Sequence, residues 1–204
     1  MYNLKVNIFV ITGPSGSGKS HLIHEIITLG IYPLEVYTDR EKRPSESKIS
    51  DRVHLSLEEF SYSLEEFLYW FEFQGNRYGY KKKDIKKQKK LGNSVCFNIP
   101  PVFLSEILSR LPEAIVIYLN VREKHFPMLY TRMLKRDLYR NIDKHKEKVI
   151  KSKIERRLEH ARNELGLLET LKKLISNNPS SRVFDIYDDK ILYKEVLPHI
   201  KKLI

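Results

Sequence analysis

The octapeptide Gly13–Ser20 constrains this chain more than any other stretch. It reads Gly-Pro-Ser-Gly-Ser-Gly-Lys-Ser, in which four residues separate a glycine from a Gly-Lys-Ser triplet. In this pattern the glycines let consecutive backbone N–H groups face one concavity, the lysine supplies charge for outer phosphates, and the serine hydroxyl can hold Mg²⁺. We therefore predict a phosphate-binding loop made of Gly13, Ser15, Gly16, Ser17, Gly18, Lys19 and Ser20, with Ser20 as the metal ligand.

The sequence on either side of this octapeptide supports the prediction. The apolar run from Val6 to Ile11 is typical of a strand buried on both faces. From Leu22 to Leu29 apolar residues recur at helical spacing, and Gly30 then ends the predicted helix. A strand, a loop and a helix in this order aim the free amides and the dipole of the helix at a bound phosphate.

Short apolar strands alternate with helical segments along the remaining chain. Further strands are predicted at 34–38, 53–55, 67–73, 94–99, 114–119 and 182–186, and residues 122–157 are predicted to be helical. This alternation is typical of an α/β fold in which helices cover both faces of a parallel sheet. Ligands of such sheets lie beyond the carboxyl ends of the strands, which is where the octapeptide stands.

The composition narrows the class of protein. The 204 residues fit one domain, and 37 basic against 26 acidic residues leave a formal charge of +11, which favours anionic partners. No apolar run reaches the roughly 20 residues needed to cross a bilayer, so no membrane partner is expected. The only cysteine, Cys96, lies in an apolar run and is expected to be a buried thiol, which favours a reducing, cytoplasmic setting.

Four further features accompany the octapeptide. The polar stretch 38–46 carries Arg40 and Arg43, whose guanidiniums match phosphate oxygens two at a time. Residues 75–79 read Gly-Asn-Arg-Tyr-Gly, and residues 154–158 read Ile-Glu-Arg-Arg-Leu. Arg132 and Arg136 are four residues apart, so both can face one phosphate from the same side of a helix.

In this order the motifs resemble those of guanylate kinase along nearly the whole chain. The resemblance implies a three-layer P-loop kinase fold with a central parallel sheet, and an enzyme that uses ATP and Mg²⁺ to phosphorylate a small phosphorylated acceptor. It implies one domain over 1–204, with a core (1–34, 92–121 and 158–204), a monophosphate-binding segment (35–91) and a helical lid (122–157).

The resemblance also implies roles for single residues. Lys19, Arg132, Arg136 and Arg157 would surround the transferred phosphoryl group, and Asp188 would belong to the nucleotide site. The acceptor site would comprise Thr38, Arg40, Arg43, Glu46, Arg52, Tyr69, Tyr78, Tyr80 and Asn98. Phosphoryl transfer asks for such a cationic set, because its catalysis consists mainly of alignment and charge neutralisation.

The chain departs from the family where the family reads guanine. Tyr69, Tyr80, Val36 and Pro100 stand where family members carry a glutamate, two serines and an aspartate. Asn98 replaces a second aspartate, which is expected to act near Mg²⁺. A site without its hydrogen-bonding groups discriminates poorly for the ligand that they recognise. We therefore expect GMP to be a poor acceptor and the pocket to be flatter and more aromatic.

Other functions stay open at this stage. The acceptor could be another nucleotide or a sugar phosphate, since a relative of guanylate kinase acts on ribose bisphosphate. A scaffold without catalysis is a second possibility, although scaffolds of this kind typically lose the phosphate loop. The charge and the basic stretch between Arg136 and Arg157 leave a nucleic-acid partner open but not favoured. Both a monomer and a homodimer are compatible with the sequence.

Overall fold

The computed structural model describes residues 6–42, 52–138 and 144–204. Its strands are β1 (Ile8–Thr12), β2 (Ile31–Pro33), β3 (Val36–Thr38), β4 (Arg52–His54), β5 (Phe67–Phe73), β6 (Asn76–Lys81), β7 (Ser94–Ile99), β8 (Ile115–Asn120) and β9 (Arg182–Asp185). Its α-helices are α1 (Lys19–Ile27), α2 (Leu57–Tyr62), α3 (Lys82–Lys90), α4 (Leu104–Arg110), α5 (Phe126–Leu138), α6 (Lys144–Gly166), α7 (Leu168–Ile175) and α8 (Leu197–Lys201).

A five-stranded parallel sheet forms the centre, in the order β2-β7-β1-β8-β9. All five residues of β1 are buried, and alternate side chains enter two different cores: Phe9 and Ile11 face one cluster, Ile8 and Val10 the other. A strand covered on both faces is expected to be continuously apolar, as β1 is. The predicted α/β fold with a central parallel sheet is therefore confirmed.

A second sheet of four strands, in the order β4-β3-β6-β5, corrects part of the predicted topology. The predicted strands at 34–38 and 67–73 exist as β3 and β5, but both lie outside the parallel sheet. β6 was not predicted as a strand, and it pairs antiparallel with both of them. Gln74 and Gly75 join β5 to β6 as a two-residue hairpin turn with φ of 54° and 74°.

The two sheets share one apolar cluster. Val36 of β3 and Phe71 of β5 belong to the same buried group as Val10 of β1 and Phe97 of β7. The second sheet therefore packs directly against one face of the central sheet.

The helices α5 and α6 form a hairpin over the other face. Leu129 and Met133 of α5, together with Ile154 of α6, are buried in the cluster that includes Phe9 of β1. The helical prediction for 122–157 is confirmed for most of the described residues, which form a 3₁₀ turn (Glu123–His125), α5 and the first part of α6.

The remaining predictions concern the last helix, Cys96 and membrane spans. The helix predicted for 191–204 begins with a π-helical turn, Leu192–Val196, before α8. Cys96 is a buried thiol, as predicted. Among the described residues no helix combines the length and the apolar character that a membrane span requires.

Candidate functional site

The loop between β1 and α1 has the conformation that its glycines predict. Gly13, Gly16 and Gly18 have φ of 139°, 84° and 104°, a region that other residues rarely adopt. A Cβ atom on Gly13 would lie 2.3 Å from the carbonyl oxygen of Leu119 on β8. The loop can therefore curl tightly against the sheet only with glycine at this position.

The Lys19 ammonium lies inside this loop. Its Nζ donates hydrogen bonds to the carbonyl oxygens of Gly13 at 2.6 Å and Pro14 at 2.9 Å. The pKa of Lys19 is lowered to about 8, mainly because the group is buried; the Glu164 charge opposes this shift and the Arg136 charge adds to it. The lysine is thus held in the loop by carbonyl groups that an incoming anion can replace.

Glu164 of α6 is the acidic neighbour of Lys19. It is 6% exposed, and its Oε2 has no hydrogen-bond partner among the described residues. Burial raises its pKa to about 7, although the Lys19 charge opposes the shift. A buried carboxyl group beside a phosphate loop therefore gains its proton near neutral pH.

Three arginines of the helical hairpin surround the loop. Arg132 donates through Nη1 to the carbonyl oxygen of Gly16 at 3.0 Å and through Nη2 to the carboxylate of Asp189. Arg136 and Arg157 both donate to the carboxylate of Asp137. Arg132 and Arg136 both line one cavity, so they face the same side, as their spacing predicts.

A single cavity of about 350 Å³ connects these groups to the second sheet. Its described lining combines five cationic side chains, one carboxyl group and a set of aromatic rings. The cations are Lys19, Arg52, Arg132, Arg136 and Arg157, the carboxyl group is Glu164, and the rings are Phe71, Phe73, Tyr78, Tyr80 and His21. The electrostatics of this lining favour an anion that carries several charges.

The second sheet supplies the aromatic wall. The rings of Phe71 and Tyr78 stack with centroids 5.5 Å apart, and Phe73 continues the wall along β5. The hydroxyl of Tyr80 donates to the carbonyl oxygen of Asn98 at 2.6 Å, so this ring is fixed against β7. Flat apolar surfaces of this kind suit stacking against a planar ring.

Most residues that the sequence predicts for the site line this cavity. They are Gly13, Ser15, Gly16, Gly18, Lys19, Ser20, Arg52, Tyr78, Tyr80, Asn98, Arg132, Arg136 and Arg157. The structure brings together the phosphate loop, the hairpin arginines and part of the acceptor set. Arg43 and Glu46 lie outside the described residues. The roles of all these residues stay predictions.

Tyr69 does not line the cavity, which corrects the sequence interpretation. The residue is 2% exposed, and its hydroxyl donates to Glu106 Oε2 on α4 at 3.0 Å. Because a strand advances about 3.3 Å per residue, Phe71 and Phe73 lie roughly 7 and 13 Å further along β5. Those two residues, rather than Tyr69, reach the cavity.

Thr38, Arg40, Ser17 and Asp188 also lie outside the lining. Thr38 Oγ1 accepts a hydrogen bond from the Arg40 amide at 3.1 Å, and the buried Arg40 donates through Nη1 to the carbonyl oxygen of Glu41 at 2.8 Å. Ser17 is fully buried within the loop. Asp188 Oδ1 accepts from the Lys190 amide at 2.8 Å, so it stabilises the turn after β9.

Several residues of the site were missed by sequence reasoning. Glu164, Asp137 and Asp189 contact or approach the predicted cations, and Phe71 and Phe73 form the aromatic wall. The alternation along β5 could have identified the two rings. The three acids lie 20 residues or more from at least one cation that they meet, so their role depends on how the helices pack.

The loop fits a nucleoside triphosphate with bound Mg²⁺. Its positive-φ glycines form a cradle of backbone, and Ser17 Oγ is buried without a described partner inside it. The exposed Ser20 lies in the first turn of α1 and lines the cavity, where its hydroxyl would hold the metal. Mg²⁺ would supply charge neutralisation for phosphate oxygens at this position.

Comparison with known proteins identifies the family. The guanylate kinase family model matches residues 5–181. The chain is 34% identical over 119 residues to guanylate kinase from Rubrobacter xylanophilus, a match over 55% of this chain and 61% of that protein. It is 30% identical over 173 residues to guanylate kinase from Prochlorococcus marinus, over 83% of this chain and 85% of the relative.

The fold comparison agrees with the sequence comparisons. A crystal structure of guanylate kinase from Anaplasma phagocytophilum superposes with a TM-score of 0.62 over 98% of this chain and 88% of that chain, at 17% identity. The predicted family, the P-loop kinase fold and the class of ATP-dependent phosphotransferase that uses Mg²⁺ are thereby confirmed. This chain belongs to the guanylate kinase family.

Proposed function

We propose that this protein transfers the γ-phosphoryl group of ATP to a nucleoside monophosphate. One observation carries the proposal: the phosphate loop, the hairpin arginines and the aromatic wall of the second sheet all line one cavity. Donor and acceptor phosphates could therefore meet at the arginines, while the acceptor ring lies against Phe71 and Tyr78. The division into core, monophosphate-binding segment and lid is part of this proposal.

The side chains of the cavity would act by position and charge. The Lys19 ammonium would give up its hydrogen bonds to the loop carbonyl oxygens and bind the outer phosphates of ATP instead, and Ser20 would hold Mg²⁺. Arg132, Arg136 and Arg157 neutralise the charge on the transferred group. Because the reaction needs little covalent help from the protein, alignment and electrostatic stabilisation account for most of the rate. Closure of the hairpin would keep water from the γ-phosphoryl group.

We further propose that GMP is not the preferred acceptor, although the relatives are named guanylate kinases. Guanine presents N–H groups on its Watson–Crick edge, and a carboxylate can accept hydrogen bonds from them. Among the described residues that line the cavity, the one carboxyl group is Glu164, and it neighbours Lys19 rather than the aromatic wall. Tyr80 is engaged with Asn98, so the wall offers stacking rather than an acceptor for guanine.

An acceptor panel tests both proposals. ATP consumption with Mg²⁺ would be measured against GMP, AMP, CMP, UMP, dTMP and ribose phosphates at equal concentrations. We expect turnover with at least one nucleoside monophosphate and a lower kcat/KM for GMP than for the best acceptor. If GMP gives the highest kcat/KM, the proposal on specificity is wrong and the kinase proposal stands.

Lys19→Met and Lys201→Met provide the matched pair for this assay. Both remove one lysine charge, but Lys201 is exposed on α8 and does not line the cavity. We expect Lys19→Met to reduce turnover by at least about 100-fold, because it removes a charge aimed at the transferred group, and Lys201→Met to match the wild type. A wild type that binds Mg²⁺·ATP and phosphorylates no member of the panel would contradict the kinase proposal.

A further inference from the structure

The carboxylate of Asp137 joins two guanidiniums of the cavity. Its Oδ1 accepts a hydrogen bond from Arg136 Nε at 2.8 Å, and its Oδ2 accepts from Arg157 Nη1 at 2.8 Å. Arg136 Nη2 also lies 3.4 Å from Oδ2. Asp137 and Arg136 belong to α5 and Arg157 belongs to α6, so this one carboxylate links the two helices where they meet the cavity.

The three side chains are partly sheltered from water. The exposed fractions are 20% for Asp137, 15% for Arg157 and 35% for Arg136. Burial raises the pKa of Asp137, but the two guanidiniums outweigh it and hold that pKa below its usual value. The carboxylate is therefore charged at neutral pH and offsets the repulsion between two like charges on the same wall.

Arginine has enough N–H donors to bind Asp137 and a ligand in the cavity at the same time. Each guanidinium has five N–H donors in a rigid plane. Asp137 engages the Nε side of Arg136 and one Nη group of Arg157. Other N–H groups of both arginines remain outside these two short bonds, and both side chains line the cavity.

We infer that Asp137 is a positioning residue that fixes Arg136 and Arg157 for the transferred phosphoryl group. The inference rests on the proposed function, and it assigns to this acid a role that acts through the two arginines. With the carboxylate in place, the guanidiniums need little reorganisation when the phosphoryl group arrives, which is the condition for effective electrostatic stabilisation. Without it, they would separate until an anion drew them together.

The test compares Asp137→Asn with Asp137→Glu and Glu159→Gln. The asparagine keeps the shape and removes the charge, whereas the glutamate keeps the charge. Glu159→Gln removes an equal charge from α6 at a residue that is 71% exposed and pairs with Arg162. We expect Asp137→Asn to lower kcat by about 10- to 100-fold, with the KM for ATP unchanged or lower because the cavity gains positive charge. Asp137→Glu should recover part of kcat, and Glu159→Gln should match the wild type.

A second measurement needs no turnover. In ligand-free protein labelled with ¹⁵N-arginine, the Arg136 Nε–H signal should exchange slowly with water because this group is bonded to Asp137. Arg136→Lys identifies that signal by its loss. We expect the signal to shift and to exchange faster in Asp137→Asn and to stay unchanged in Glu159→Gln.

The outcomes separate this inference from the proposed function. Wild-type or higher kcat in Asp137→Asn, or an unchanged Arg136 Nε–H signal, overturns the inference alone. A fall in kcat that tracks a fall in the melting temperature, with no recovery in Asp137→Glu, shows a merely structural role and also overturns it. A wild type that phosphorylates no acceptor in the panel contradicts the proposed function, and the positioning role of Asp137 with it.

Discussion

At the scale of single residues, the feature that distinguishes this site is a buried carboxyl group next to the lysine of the phosphate loop. Glu164 has a pKa of about 7 and Lys19 a pKa of about 8, and burial is the largest cause of both shifts. Burial disfavours the charged form of each group, and the charge of each group partly stabilises the charge of the other. The two residues therefore titrate in the range where small changes in pH alter the charge of the cavity.

Replacing Glu164 should change the pH dependence of stability. In the unfolded chain this carboxyl group loses its proton near 4.5, whereas in the folded protein it keeps it up to about 7. Between these values the folded state binds more protons, so the free energy of unfolding of the wild type falls as the pH rises. Glutamine does not titrate, and Glu164→Gln should reduce this fall by an amount on the order of 2 kcal/mol.

Urea unfolding at pH 4.5, 5.5 and 7 measures this difference. Glu159→Gln is the control, because that side chain is exposed on the same helix and should leave the pH profile unchanged. Parallel pH profiles for the wild type and Glu164→Gln would show that Glu164 does not carry the expected proton.

At the scale of elements, the turn from β1 to α1 depends on contacts with another strand. Gly13 combines a φ of 139° with a position where a Cβ atom would overlap the carbonyl oxygen of Leu119. That oxygen belongs to the backbone of β8, so no side-chain rotation can relieve the overlap. The phosphate loop is thus shaped by the sheet against which it lies as well as by its own glycines.

Gly13→Ala and Gly166→Ala test this dependence as a pair. We expect Gly13→Ala to lower the free energy of unfolding by roughly 2 to 4 kcal/mol, from backbone strain and overlap together, and to weaken ATP binding. Gly166 ends α6 with open space around its Cβ position. Gly166→Ala should be neutral or stabilising by up to about 1 kcal/mol. Urea unfolding measures both effects, and an equal result for the two variants would contradict the steric argument.

At the scale of the whole molecule, the shared apolar cluster joins the two sheets into one folding unit. Val36 and Phe71 of the second sheet are buried with Val10 and Phe97 of the central sheet. The cavity depends on the contact between the sheets, because each sheet contributes residues to its lining and the helical hairpin contributes the rest of the wall. Loss of contact between the sheets would separate the phosphate loop from the aromatic wall.

Fluorescence of Trp70 can test whether the two sheets unfold together. It is the only tryptophan of the chain, it lies on β5 of the second sheet, and it is 42% exposed. Far-ultraviolet circular dichroism reports mainly on the helices that cover the central sheet. Because the sheets share a core, we expect both signals to give one urea midpoint. A midpoint at lower urea concentration for Trp70 fluorescence than for circular dichroism would show that the second sheet unfolds before the central sheet.

Local sequence determined most of the elements of this protein, although not β6, and it determined the class of its ligand. The octapeptide and the apolar runs around it predicted β1, the loop and α1, because strand burial, glycine conformation and helix periodicity are properties of neighbouring residues. Spacing along one helix likewise predicted that Arg132 and Arg136 would face the same side. The family followed from several such local motifs found in one order.

Only the tertiary structure decided which residues meet. The sequence interpretation placed Tyr69 in the acceptor site, but packing against α4 directs it to Glu106, and Phe71 and Phe73 take the wall instead. Glu164 reaches Lys19, and Asp137 reaches Arg157, because α5 and α6 pack together against the central sheet beside the cavity. Such contacts depend on how whole elements pack, and spacing along the chain does not encode that information.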